Sequence, residues 1–303
     1  MALIVCVHGI SQQYQGEESL HTQWRPALRD GLRHAGDTGR AIAGGLADDD
    51  IRFAFYGGIF RPAGQTLDVG APYLTAADTT EFEEQLADQW WREAARSDPG
   101  VSYPGGNSLI RTPGGVQAAL RALSGSAFFA GLGQRLMIGD LVQVRRYLTE
   151  PDIRRAMRQR VAGAVDRDTR VIVAHSLGSV VAYEALAAHP EWPVRALVTL
   201  GSPLGIANLI FDQLHPRPRP RADPAAGEDG PRGQWPGPVT VWTNVADEGD
   251  VVALVKDLRP LFGNSVVSCI VHNGAKAHDI LPYLTAPETG TGILAGLTAA
   301  GPP

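Results

Sequence analysis

The stretch at residues 171–186, VIVAHSLGSVVAYEAL, restricts the folds open to this chain more than any other segment. Apolar and small residues are followed by His-Ser-Leu-Gly and then by a run typical of a helix. A nucleophilic serine on a sharp strand–helix turn needs small residues two positions away on either side, because the strand and helix approach closely there. Ala174 and Gly178 meet this condition around Ser176. We therefore predict that Ser176 is a nucleophile at such a turn.

Strands and helices alternate along most of the chain. Compact apolar runs predict strands at residues 2–7, 51–56, 170–174, 194–200, 238–243 and 265–271. Helical spacing predicts helices within 19–36 and at 79–97, 152–166, 177–188 and 279–285. This alternation predicts an α/β fold, in which a mostly parallel central sheet carries helices on both faces.

Two segments depart from this rhythm. Residues 100–148 predict a helical insertion over the core, and within it residues 125–139 combine glycines with large apolar side chains. Residues 125–139 are interpreted either as a cap helix packed on the core, which we favour, or as a lid that meets an acyl chain or a lipid surface. Residues 216–238 contain seven prolines and four glycines and predict a flexible surface loop. Residues 1–303 are thus predicted to form a single domain.

Composition excludes several classes of protein. A hydrophobic content of 44% and a charged content of 19% indicate a globular protein, and the net charge of −5 gives no reason to expect a nucleic acid partner. The two cysteines, Cys6 and Cys269, form neither a disulfide framework nor a zinc-binding spacing. With no signal peptide and no apolar run of about 18 residues, a cytoplasmic location is expected. The segment after the first strand, HGISQQYQGEES, lacks the glycine pattern of a dinucleotide-binding loop.

The end of the first strand predicts an oxyanion-binding loop. His8 and Gly9 follow the apolar run, and a glycine there lets the backbone bend toward a reacting carbonyl. We predict that the backbone amides of Ile10 and Leu177 stabilise an oxyanion. His8, Gly9 and Gln12 are predicted to contribute to the substrate-binding site.

The segment VWTNVADEGDVVALV offers the carboxylate of a triad, because it follows a strand and comes later in the chain than the serine. Such a carboxylate holds the catalytic histidine in one tautomer. We favour Asp250, since Val251 and Val252 after it can pack the loop onto the core. Asp247 is the alternative. A metal site at these acids is not expected, because no matching cluster of ligands accompanies them.

Two histidines follow the last strand, which is predicted to end at Val271. His278 is favoured as the general base because it opens a helix, where a loop can carry it over the serine. His272, at the strand end, is the alternative. His175 is adjacent to the nucleophile and points elsewhere, so it is interpreted as packing near the mouth of the substrate site.

The order Ser176, Asp250, His278, each after a strand, is the chain order of the α/β-hydrolases. The sequence resembles the lipase and esterase type of this superfamily over nearly its whole length, apart from residues 100–148 and 216–238. The resemblance also involves the segments HG at 8–9, AHSLG at 174–178 and LGSPLG at 200–205. The LGSPLG segment is similar to lipase-type members, including the PGAP-like group.

Two features depart from the pattern of the family. Ala174 replaces the first glycine of the usual nucleophile motif. The family also usually has strands ahead of the one that ends in His-Gly, and here that strand starts at residue 2. Neither difference removes a catalytic group.

The resemblance implies a serine hydrolase that cleaves carboxylic esters through a Ser-His-Asp triad and an acyl-enzyme, as an esterase, a lipase or a phospholipase-like enzyme. A thioesterase, acyltransferase or amidase using the same triad is the first alternative, because these activities share fold and triad. A non-catalytic binding module on the same fold is the second. The expected partner is a small-molecule or lipid ester, with transient contact to a lipid surface. No metal and no cofactor is required.

Overall fold

Six parallel strands form the centre of the protein in the computed structural model, which describes residues 2–61, 79–104, 113–124, 134–220, 230–274 and 277–299. The strands are β1 (Ile4–Val7), β2 (Ile51–Phe53), β3 (Val171–His175), β4 (Ala196–Leu200), β5 (Val241–Asp247) and β6 (Val266–Val271). Their order across the sheet is β2-β1-β3-β4-β5-β6, and every neighbouring pair is parallel. The predicted α/β class is therefore confirmed, and the architecture is consistent with an α/β-hydrolase-like fold.

Helices cover both faces of this sheet. They are α1 (Glu17–His34), α2 (Asp37–Gly45), α3 (Glu81–Ser97), α4 (Pro113–Ser124), α5 (Gln134–Thr149), α6 (Pro151–Ala164), α7 (Leu177–Ala188), α8 (Arg259–Phe262), α9 (Ile280–Thr285) and α10 (Pro287–Thr298). Side chains of α3 to α8 belong to one buried apolar cluster, and those of α1, α2, α9 and α10 to the other. Within β1, Val5 and Val7 join the first cluster while Ile4 and Cys6 join the second. Strands buried on both faces read as continuous apolar runs, which is why the sequence showed them clearly.

Strand β5 differs from its prediction at residues 238–243, because it runs from Val241 to Asp247. Residue Val239 belongs to a turn, in which its N–H donates to the carbonyl of Pro236. The polar residue Asn244 is buried inside the strand, where its side-chain oxygen accepts from Thr199 Oγ1 at 2.8 Å. Its amide donates to the carbonyl of Lys256 at 2.9 Å. A polar side chain whose oxygen and nitrogen are both hydrogen-bonded can occupy a central strand. The sequence pattern gives no sign of these partners, which lie 45 and 12 residues away.

Sequence periodicity missed helices α2 and α10, which are rich in glycine, a residue that lowers helix propensity. In α10 the glycines serve close packing. A Cβ at Gly290 would lie 2.1 Å from the carbonyl oxygen of Gly31, and one at Gly296 would lie 2.5 Å from the Cβ of Ala196. The helix therefore lies closer to α1 and the sheet than side chains at these positions would permit.

Helices α3, α4 and α5 lie in or beside the predicted insertion and pack on one another. Glu83 of α3 accepts from the backbone N–H of Thr80 at 2.9 Å and from Arg145 Nε of α5 at 2.5 Å. We call α3, α4 and α5 together the cap. Residues 125–133 of the segment predicted as a cap helix or lid, and 221–229 of the proline-rich loop, lie outside the described residues. Of the helices in the described ranges, none has the length and apolar character needed to cross a membrane.

A buried ion pair joins helix α7 to helix α6. Arg154 Nε and Nη2 donate to the two carboxylate oxygens of Glu184 at 2.8 and 2.5 Å. Tyr147 Oη donates to the same carboxylate at 2.7 Å, as does the backbone N–H of His215 at 2.9 Å. Glu184 is 0% exposed, so its charge depends on these partners.

Replacing Arg154 with methionine should therefore destabilise the protein strongly. The change leaves the Glu184 carboxylate buried without its cation, which typically costs about 3–5 kcal/mol. Urea-induced unfolding gives the free energy of unfolding of each variant. The matched control is Arg155→Met, which removes the neighbouring exposed pair with Asp152 and should cost far less. A loss no larger than that of the control would contradict the assigned role of the buried pair.

Candidate active site

Ser176 lies on a sharp turn between β3 and α7. Its φ of 53° and ψ of −133° are unusual for a residue with a side chain, and backbone strain of this kind is often found at functional sites. The turn requires small neighbours, as predicted. A Cβ at Gly178 would lie 2.3 Å from the carbonyl oxygen of His8, and one at Gly9 would lie 2.8 Å from the Cβ of Ser176. Ala174, in place of the family's glycine, is fully buried in β3.

Ser176, His278 and Asp250 form a hydrogen-bonded chain. His278 Nε2 lies 3.0 Å from Ser176 Oγ, and His278 Nδ1 lies 2.8 Å from Asp250 Oδ2. A carboxylate only accepts, so Nδ1 carries the ring hydrogen and Nε2 is the acceptor that faces the serine hydroxyl. The structure thus brings together the three residues that the sequence favoured for a triad.

The Asp250 carboxylate is fully buried and held at both oxygens. Its Oδ1 accepts from the backbone N–H groups of Val252 and Ala253 at 2.8 and 3.2 Å. Burial alone would raise the pKa of Asp250, but His278, a hydrogen bond from Tyr283 and the charge of Lys256 outweigh it and place the pKa below its usual value. Asp250 is therefore a fixed anion in contact with the imidazole.

The two alternative residues lie elsewhere. Asp247 accepts from the backbone N–H of Gly249 at 2.7 Å and from that of Asn273, so its carboxylate closes the turns after β5 and β6. His272 has a side chain that is 75% exposed and lies 3.6 Å from Glu248 at the surface. The Asp247 carboxylate is therefore bonded to backbone N–H groups and not to His278, and Asp247 meets Asp250 through its backbone carbonyl, which accepts from the Asp250 N–H at 3.1 Å.

Tyr283, on α9, is part of the site and was missed by sequence reasoning. Its hydroxyl donates to Asp250 Oδ2 at 2.7 Å and accepts from the backbone N–H of Asp247 at 2.7 Å. Burial raises the pKa of the Tyr283 phenol, so it stays a donor. The residue fixes the carboxylate oxygen that faces His278. A tyrosine in a short helix after the histidine gives no sequence signal for this contact.

The LGSPLG segment supports the site from beneath. Gly201 has a φ of 53°, and a Cβ there would lie 2.7 Å from Asp250 Oδ2 and 3.0 Å from His278 Nδ1. Ser202 Oγ lies 2.7 Å from Ser179 Oγ, which donates to the backbone carbonyl of Ser176 at 2.6 Å. In the sequence, the glycine after β4 indicated this support of the site. Its role is to leave room for the contact between Asp250 and His278.

The loop after β1 is anchored by the ring of His8, which is 1% exposed. The backbone N–H of Tyr56 donates to His8 Nε2 at 3.1 Å, so Nδ1 carries the hydrogen and donates to the Gly9 carbonyl at 2.6 Å. Burial lowers the pKa of His8 to about 4, which keeps the ring neutral. His8, predicted at the substrate site, therefore contacts the loop from below, while Gly9 lies against Ser176.

The backbone amides predicted for the oxyanion site belong to residues that lie next to Ser176 in the chain or in the neighbouring loop. Carbonyl and N–H of a trans peptide point in opposite directions, so the bond from His8 to the Gly9 carbonyl turns the Ile10 N–H away from His8. Leu177 is the first residue of α7, where an N–H has no acceptor inside the helix. Neither N–H donates a hydrogen bond to another of the residues that the structure describes.

Gln12 and His175 were predicted to bind substrate. Gln12 donates from Nε2 to the carbonyl of Ile10 at 3.2 Å, within the loop after β1. His175 Nε2 donates to the backbone carbonyl of His278 at 3.1 Å, and the two rings lie 4.7 Å apart. Burial lowers the pKa of His175 to about 3, so this ring stays neutral beside the ring of His278. Its observed contacts support the position of His278.

The chain matches no model of a known protein family, and no curated protein matches its sequence. The fold is consistent with an α/β-hydrolase-like fold, and at the carboxyl ends of its strands a serine, a histidine and an aspartate form one hydrogen-bonded chain. Among the described residues, no three His, Cys, Asp or Glu side chains are grouped as metal ligands would be.

Proposed function

We propose that this protein is a serine hydrolase of the α/β-hydrolase superfamily, of the lipase and esterase type, that cleaves carboxylic esters. The observation that carries the proposal is the hydrogen-bonded chain from Ser176 Oγ through His278 to the buried Asp250. A nucleophile, a base and a residue that orients the base in this geometry recur on unrelated folds that perform acyl transfer.

In the proposed first half-reaction, Ser176 Oγ attacks the ester carbonyl while His278 Nε2 accepts the hydroxyl proton over the 3.0 Å contact. The buried Asp250 stabilises the imidazolium that forms. The tetrahedral intermediate collapses when its C–O bond breaks and His278 returns the proton to the leaving alcohol. An acyl group then remains bonded to Ser176 Oγ.

The second half-reaction repeats these steps with water. His278 takes a proton from water, the hydroxyl oxygen attacks the acyl carbonyl, and the proton returns to Ser176 as the carboxylic acid leaves. In both halves the Ile10 and Leu177 amides are proposed to donate to the oxyanion. One such donor is typically worth about 10²–10³-fold in kcat.

Covalent labelling tests the proposal directly. A fluorophosphonate probe should label the wild-type protein, and Ser176→Ala should abolish both the label and the hydrolysis of p-nitrophenyl butyrate, because the phosphorus bonds only to an activated serine oxygen. Ser97→Ala, which alters an exposed serine at the end of α3, is the matched control and should label as wild type does.

Persistence of label or hydrolysis in folded Ser176→Ala would overturn the proposal. If the label is lost only in Ser176→Ala, a series of esters, thioesters and amides with acyl chains of increasing length defines the bond and the chain preference. A labelled enzyme that cleaves thioesters or amides but no esters would retain the mechanism and correct the substrate class.

A further inference from the structure

The loop after β1, residues 8–13, which we call the oxyanion loop, has a strained backbone at Ser11. Ser11 has a φ of 64°, in the left-handed region that residues with a side chain rarely adopt. Such a conformation persists when surrounding contacts hold it. It lies one residue after Ile10, whose N–H is proposed to bind the oxyanion. Contacts at Ser11 therefore bear on the direction of that N–H.

The contacts come from the cap. Ser11 Oγ donates a hydrogen bond to Asp140 Oδ1, and Gln143 Nε2 donates to Gln13 Oε1 at 3.2 Å. Asp140 and Gln143 are three residues apart on α5, so they share one face of that helix. Helix α5 thus holds the oxyanion loop through two side-chain hydrogen bonds, in addition to the contacts that the ring of His8 makes with the Gly9 carbonyl and the Tyr56 N–H.

The Asp140 carboxyl interacts electrostatically with His278. Burial raises the pKa of the Asp140 carboxyl to about 7, while the hydrogen bond from Ser11 and the charge of His278 lower it in part. Ser11 lies in the loop after β1 and His278 in the loop before α9, so the pKa of Asp140 is lowered from both loops. A carboxyl with a raised pKa is in part neutral near pH 7, and its oxygen remains an acceptor for Ser11 in either state.

We infer that Asp140 is a positioning residue, which holds Ser11 in its left-handed conformation and thereby aims the Ile10 N–H at the oxyanion. The inference depends on the proposed serine hydrolase function. It makes the cap part of the catalytic apparatus, because helix α5 supplies a contact that the central fold lacks. A displacement of α5 would then change the oxyanion geometry without touching Ser176, His278 or Asp250.

The test measures kcat and KM for p-nitrophenyl butyrate, and the inhibition constant of an alkyl trifluoromethyl ketone. The ketone forms an adduct with the serine whose oxyanion occupies the same place as that of the intermediate. Asp140→Ala and Ser11→Ala should each lower kcat by about 10- to 100-fold, as expected when a reacting group is displaced rather than removed. Both should weaken the ketone by a similar factor and leave KM within about twofold, because the ground state gains little from this hydrogen bond.

Two further variants separate positioning from a merely structural effect. The double variant Ser11→Ala/Asp140→Ala should be no slower than the slower single variant, since both changes break one contact. Asp140→Asn keeps an acceptor oxygen and should retain close to wild-type kcat. Asp152→Ala removes an exposed carboxylate on α6 and is the control that should change nothing.

Losses that multiply in the double variant, a loss confined to KM, or an Asp140→Asn as slow as Asp140→Ala would each overturn the inference. Should Asp140→Ala fail to fold, Ser11→Ala and Asp140→Asn still decide, since each alters a side chain at the loop–cap contact without emptying its place in α5. Ser176→Ala is measured alongside. If it retains activity, the proposed function fails; if it is inactive while Asp140→Ala keeps wild-type kcat, only the role of Asp140 fails.

Discussion

Replacing His278 with alanine is expected to lower kcat for ester hydrolysis on the order of 10⁶-fold, as loss of the base does in serine hydrolases where the triad acts as a unit. The physical reason is the 3.0 Å contact between His278 Nε2 and Ser176 Oγ, which places Nε2 to accept the serine proton. Without it the hydroxyl must attack while still protonated. The measurement is steady-state hydrolysis of p-nitrophenyl butyrate, together with the rate of fluorophosphonate labelling.

His272→Ala is the control for this change. His272 lies six residues earlier in the chain, and its side chain is 75% exposed beside Glu248. Removing it should leave both kcat and the labelling rate as in the wild type. A large loss in His272→Ala, with activity retained in His278→Ala, would show that the wrong histidine has been assigned as the base.

The fold could be read from the sequence because the central strands are buried on both faces. Continuous apolar runs such as residues 171–174 then have no other interpretation than a buried element. Helix α10 could not be read in the same way. Its glycines lower helix propensity, and they are explained only by the close approach to Gly31 and Ala196, which are distant in sequence. The local sequence pattern therefore predicts an element where the whole element is buried. It fails where contacts between segments distant in sequence determine which residues are used.

The same limit applies to the site. The strand, small residues and helix around Ser176 are contiguous, so the sharp turn at this serine was predictable. The contact from Tyr283 to Asp250 spans 33 residues, and that from Ser11 to Asp140 spans 129. Nothing in the sequence near either carboxylate indicates these partners. What sequence reasoning supplies is the set of candidate groups, while the supporting hydrogen bonds emerge only from the folded chain.

Asp250, rather than Asp247, is expected to orient His278, so its replacement should greatly lower kcat. Asp250→Asn should lower kcat by roughly 10⁴-fold, the size of loss seen when an amide replaces a triad carboxylate. Its Oδ2 accepts from His278 Nδ1 at 2.8 Å and from Tyr283 Oη at 2.7 Å. An amide group turned toward His278 donates instead of accepting, which favours the tautomer with the hydrogen on Nε2. That tautomer cannot take the proton of Ser176.

Asp247→Asn separates this effect from general damage to the loop. Its carboxylate accepts two backbone N–H groups, of Gly249 and Asn273, and a single amide oxygen cannot replace both oxygens. Stability should therefore fall, while kcat per active site, counted by fluorophosphonate titration, should fall by less than about tenfold because the contact of His278 is intact. If Asp247→Asn costs more in kcat than Asp250→Asn, the carboxylate that orients the base is Asp247, and the buried anion beside Tyr283 has only a structural role.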